Sequence, residues 1–189
     1  SRQGRLQRAY DTYEQALQAA TDPAGRRLPI ASEALIGLGE LEREWNHLDT
    51  AADYLVEGIH LANRWSEMAA FDAYTPLARV RLAQGDVAGA RQALDAARQI
   101  ARQSEATRVD DIVVALQQAY FCITQGDAAG ATSWAQKRGL LGGPAAWPDS
   151  QVDAAQAHAD AHLRKYEQLV LARLFLLQGQ TARAIELLD

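Results

Sequence analysis

The stretch LARVRLAQGDVAGARQALDAAR, residues 77–98, decides the fold. Around its Gly85 the apolar residues recur at three- and four-residue steps on both sides, as two amphipathic helices require. The helical stretches extend outward as EMAAFDAYTPLARVRLAQ (67–84) and DVAGARQALDAARQIARQ (86–103). Glycine between them takes a positive φ at little steric cost and ends the first helix. Five residues after Gly85 stands Ala90. That turn-then-alanine spacing recurs at Gly4/Ala9, Asn46/Ala51, Gly126/Ala131 and Gly179/Ala184, with turns 42, 39, 41 and 53 residues apart. Such a period marks a repeat architecture, in which single units cannot bury their apolar stripe alone and must stack.

Small residues mark where the helices touch. Seven before each complete turn stand Gly39, Ala78, Ala119 and Ala172; twelve after it stand Ala16, Gly58 and Ala97, with Arg138 as the exception. Bulkier residues nine after the turn (Tyr13, Leu55, Leu94 and Leu188, but Ala135) are expected to fill the space between hairpins.

These offsets around a Gly-Asp turn resemble the tetratricopeptide (TPR) repeat: Ala78, Gly85, Asp86, Ala90 and Ala97 in one copy, Gly126, Asp127 and Ala131 in the next. The period exceeds the usual length of about 34 residues. With LARLFLLQGQTARAIELL (171–188), the longer helices resemble the repeat region of MalT-like regulators, ATP-dependent transcription activators ending in a LuxR-type helix-turn-helix. The resemblance implies an all-α, TPR-like α-solenoid of antiparallel helix pairs. It would hold about five repeats with truncated ends in a right-handed superhelix, forming one domain over 1–189 cut from a longer chain.

Forty-eight per cent hydrophobic content and five prolines fit an all-helical protein. No run approaches the roughly 18 apolar residues of a membrane span. The net charge of −5 lacks the basic stripe of a nucleic-acid module. The best basic cluster is Arg26-Arg27 in TDPAGRRLPI, read as a solvated loop between helices. A lone Cys122 excludes an internal disulfide framework and fits a reducing, cytoplasmic setting; it is expected to be a buried small hydrophobe.

The long interval holds GLLGGPAAWPDS, an irregular insertion at 139–150, before a helix expected from Gln151 to Leu177. Trp147 there either pins the loop to a neighbouring hairpin or stacks on a ligand ring. His158 and His162 share a helix face at metal-ligand spacing, but solvated histidines satisfy the same pattern, and no metal is expected. No phosphate-binding glycine loop or nucleophile elbow occurs, so neither an enzyme nor a bound cofactor is expected. Any ATP would belong to an upstream module.

Binding residues are sought on the first helix of each pair, which lines the concave wall in TPR-like superhelices. Six before the turn these are Glu40, Arg79, Tyr120 and Arg173; thirteen before, Glu33, Asp72, Val113 and Tyr166. Their mixed charge and aromatic content suits a polar ligand or a peptide with termini. Solvated helix faces carry such residues too. A further local feature is Tyr74-Thr75-Pro76, where a proline inside a periodic helix is expected to kink it or shorten its start and so open local space. The expected function is a sensor and interaction segment receiving a small-molecule inducer or a protein or peptide partner. A general TPR scaffold docking a peptide is the alternative. Self-association through exposed repeat edges is a further expectation.

Overall fold

The computed structural model describes residues 2–65, 67–103, 108–142 and 154–188. Among these the regular elements are all helices: α1 (Arg2–Ala19), α2 (Ala31–Glu44), α3 (Leu48–Asn63), α4 (Glu67–Ala83) and α5 (Val87–Gln103) lead the chain. They are followed by α6 (Arg108–Thr124), α7 (Ala128–Lys137), a short 3-10 turn (Leu140–Gly142), α8 (Ala154–Leu177) and α9 (Thr181–Leu188). The chain forms two compact units, Ser1–Thr107 and Arg108–Asp189.

The hairpin turns share one geometry. Asn46, Gly85, Gly126 and Gly179 all have φ between 64° and 80°. In each, the turn amide reaches the carbonyl three residues back, and the next amide reaches the carbonyl five back. The second bond is His47 to Glu42, Asp86 to Arg81, Asp127 to Cys122 and Gln180 to Phe175, at 2.8–2.9 Å. These bonds satisfy carbonyls that a helix end otherwise leaves open. The alanines five beyond these turns, Ala51, Ala90, Ala131 and Ala184, are all buried.

In the first unit α1 packs on α2, α2 on α3, α3 on α4 and α4 on α5, with α2 also touching α4. Leu17, Leu35, Leu38 and Leu61 form a core, flanked by Tyr10 and Tyr54. A Cβ added at Gly39 would stand 2.6 Å from Leu55 Cγ, so glycine there lets α3 approach. In the second unit α6 packs on α7 and α8, and α8 on α9. Trp134, Leu140, Leu171, Leu174 and Phe175 lie in its core.

Some expectations need correction. Gly4 makes no turn: it lies within the first turn of α1 and its φ is not positive. Consequently the first copy departs from the pattern. Ala9 is half-buried and Ala16 exposed, while Leu17 and Ala20 face inward. Tyr13 instead lies across Gly37 of α2. Leu188 is exposed and Leu187 is buried in its place. Cys122 is half-buried beside the second unit's core. Within the irregular stretch Gly139 has φ 69° and Leu140 is buried; residues 143–150 lie outside the described residues, as do 151–153 ahead of α8.

Candidate functional site

The first helices of the hairpins are α2 and α4 in one unit, α6 and α8 in the other. Because each ends in the same turn, residues at a fixed distance from that turn occupy equivalent places. Two turns are locked by a carboxylate cap: Asp86 Oδ1 accepts from Gly89 N at 2.8 Å, and Asp127 Oδ1 from Gly130 N at 2.9 Å. A Cβ on Gly89 or Gly130 would stand 2.2 or 2.4 Å from Oδ2 of the capping aspartate. That second glycine, four after the turn in both GDVAG and GDAAG, was a sequence signal for the cap that the repeat reading missed.

With register fixed, side chains six before the turn meet across neighbouring helices. In the first unit Arg79 Nη2 of α4 donates to Glu40 Oε1 of α2 at 3.0 Å, both partly exposed. In the second unit the Arg173 guanidinium of α8 lies 5.0 Å from the centre of the Tyr120 ring of α6. One contact is an ion pair and the other a cation–π contact, modest at an exposed site. Glu33 and Asp72 are exposed on α2 and α4, and Val113 is half-buried on α6. Tyr166, seven before Arg173 and so on one face of α8 with it, is 60% exposed. The first unit therefore presents a row of charged groups, and the second a row of aromatic groups with an arginine, across two helices each.

The remaining candidates fall elsewhere. Trp147 lies outside the described residues, and so do the side chains of His158 and His162 on α8. Among the described residues no group of three His, Cys, Asp or Glu side chains stands together as a metal site. The Arg26-Arg27 cluster is internally neutralised. Arg26 pairs with Asp22 at 2.8 Å, and Arg27 pairs with Glu57 of α3. Asp22 also accepts from the Arg26 and Ala24 amides at 2.9 Å each, and the Arg26 amide is the largest cause holding its carboxyl below the ordinary range. No helix among the described residues is long and apolar enough to cross a membrane.

Arg138, the exception to the small-residue pattern, has a partner in the second unit. Its Nε and Nη2 both lie 2.8 Å from Oε1 of Glu167 on α8, a carboxylate only 3% exposed. Glu167 stands twelve before its turn, where the other copies carry Ala34, Ala73 and Val114. In the copy that carries the insertion, an ion pair thus joins two positions at which the other copies carry small apolar residues. A second cluster joins α1 to the first turn. Tyr10 and Trp45 have ring centres 5.4 Å apart, and His47 Nδ1 stands 2.7 Å from the buried carboxylate of Glu42. Burial and a hydrogen bond with Tyr54 push the Tyr10 hydroxyl up to about 12.

The family model described as the MalT-like TPR region matches the chain over residues 1–189. No curated protein matches it.

Proposed function

The chain belongs to the MalT-like TPR family, and from that premise we propose that it is the non-catalytic sensor and interaction segment of a LuxR-type, ATP-dependent transcription regulator. The parent protein would carry the nucleotide-binding switch and the DNA-binding helix-turn-helix. This segment would receive a small-molecule inducer or a regulatory partner in the cytoplasm. The observation that carries the reading is the meeting of the sixth residues before the turn, Glu40 with Arg79 and Tyr120 with Arg173. A ligand that competes for these groups acts on the contact between neighbouring first helices. It thereby favours one spacing of the hairpins over another, and differential affinity of that kind is what a switch requires.

The test uses the full regulator in a transcription-activation assay with Glu40→Arg, Arg79→Glu, the double swap, and Tyr120→Ala. The ion pair is exposed and worth about 0–1 kcal/mol, so the swap keeps the fold. The singles and the swap should all lose induction while retaining far-UV circular dichroism. Normal induction in every variant would sink the proposal. The alternative, a scaffold docking a peptide, is favoured by Leu169, Leu176 and Leu177, exposed with Tyr166 on α8. It predicts a peptide-binding defect on Leu176→Asp with induction untouched.

A further inference from the structure

We infer that the first unit holds a second binding site, separate from the row of Glu40 and Arg79, for a small neutral molecule that carries a carboxamide on a flat apolar body. The site is a cleft of about 260 Å³ lined by Asn63, Tyr74, Ala96, Gln99, Ile100 and Gln103. Three helices build it. Asn63 is the last residue of α3, Tyr74 comes from the middle of α4, and the others form one stripe on the last two turns of α5. Positions 96, 99, 100 and 103 follow the three- and four-residue steps that place side chains on a single helix face.

The lining is sorted by chemistry. Ile100 is buried, Tyr74 and Ala96 are half-buried, and the three carboxamides are exposed at the rim. The cleft thus has an apolar, aromatic floor and a polar edge, the usual division of a ligand site. Its volume lies a little under the usual lower range of about 300 Å³, which suits a single-ring molecule. None of the described lining residues is charged. A charged ligand would lose hydration there without gaining a counter-ion among the described residues. Each carboxamide offers both donors and an acceptor, so a ligand carboxamide pairs with it on both edges.

The tyrosine of the cleft is peculiar to this copy of the repeat. At the place of Tyr74, eleven before the turn, the other copies carry Leu35, Ala115 and Gln168. Two residues on, Pro76 lies inside α4, where it cannot donate to the carbonyl four residues back and its ring crowds the preceding turn. Beside it Thr75 is buried, and its Oγ1 has no hydrogen-bond partner among the described residues. The helix thus lacks one donor of its own ladder close to Tyr74, although α4 runs unbroken from Glu67 to Ala83.

Isothermal titration with benzamide, benzoate and benzamidinium tests this, because the three share a shape and differ in charge. Benzamide should bind, with the two ions at least about tenfold weaker, the loss expected when one hydrogen-bonding edge finds no partner. Gln103→Glu, at an exposed position, should weaken benzamide by about fivefold and make benzamidinium the preferred probe. Tyr74→Leu should weaken benzamide without changing the order. Absence of benzamide binding, equal response to all three, or an unchanged order in Gln103→Glu would each overturn the inference.

Discussion

Removing Arg138 should cost the second unit far more than a surface cation would. Glu167 is 3% exposed and receives two guanidinium contacts at 2.8 Å on one oxygen, while Arg138 is 22% exposed. Deleting one partner of a buried pair costs about 3–5 kcal/mol, because the other charge stays buried and uncompensated. The partial exposure of Arg138 admits some water once its head group is gone, which places Arg138→Met near the lower end, about 3 kcal/mol. Glu167→Gln should cost less, about 1–2 kcal/mol, since the arginine left behind is partly hydrated and the amide oxygen still accepts. Arg138→Met combined with Glu167→Leu should return to within about 1 kcal/mol of the parent, as apolar replacement of a buried pair often does. Because contacts cluster in two units, hydrogen exchange over α7 and α8 is a better assay than a global unfolding signal. A 3 kcal/mol loss appears there as roughly a hundredfold faster exchange. Less than a threefold change in Arg138→Met, or a double variant no better than the worse single, would refute the reasoning.

Gly39→Ala places a Cβ 2.6 Å from Leu55 Cγ and 3.1 Å from the Ala51 carbonyl oxygen. Overpacking of about 1–3 kcal/mol should outweigh a helix-propensity gain of up to about 1 kcal/mol, giving a net loss measurable by urea unfolding. Gly85→Ala meets nothing within 4 Å but sits at φ 80°, so its loss of about 1–2 kcal/mol should be purely conformational, and Gly85→Asn should recover part of it. The Tyr10 hydroxyl, pushed up to about 12 by burial and then by Tyr54, should titrate late by phenolate absorbance, and earlier in Tyr54→Phe. Between about pH 10 and pH 12 the native state then binds more protons than the unfolded state. Stability should accordingly fall as pH rises through that window, and a flat unfolding midpoint there would contradict it.

What the sequence made legible was what the backbone demands. A positive φ requires glycine or asparagine, so Asn46, Gly85, Gly126 and Gly179 could be found, and with them the buried alanines five beyond. Fixed turns then fixed the register, which is why Glu40 and Arg79, 39 residues apart, could be set on one row before any contact was known. Gly4 misled because glycine inside the first turn of a helix looks the same in sequence as glycine ending one. The pairing of Arg138 with Glu167 was hidden because it joins two repeats 29 residues apart across the irregular stretch. Its trace was the arginine itself, at a place where the pattern asks for a small residue. The Tyr10, Trp45 and His47 cluster was illegible for another reason: it depends on where α1 meets the first turn, and α1 does not follow the repeat.

The repeat separates packing from surface chemistry by a single residue step. Seven before the turn the chain holds Gly39, Ala78, Ala119 and Ala172, which set how closely the second helix approaches. One residue later, about 100° around the helix, stand Glu40, Arg79, Tyr120 and Arg173, which make no demand on that approach. Within each unit the common turn sets the register of the first helices, so the next positions meet whatever their chemistry: an ion pair in one unit, a cation over a ring in the other. Surface chemistry can therefore change at these positions for little stability, whereas a methyl group added at Gly39 crowds Leu55. A surface built this way is suited to recognition, because its chemistry varies independently of the fold that positions it.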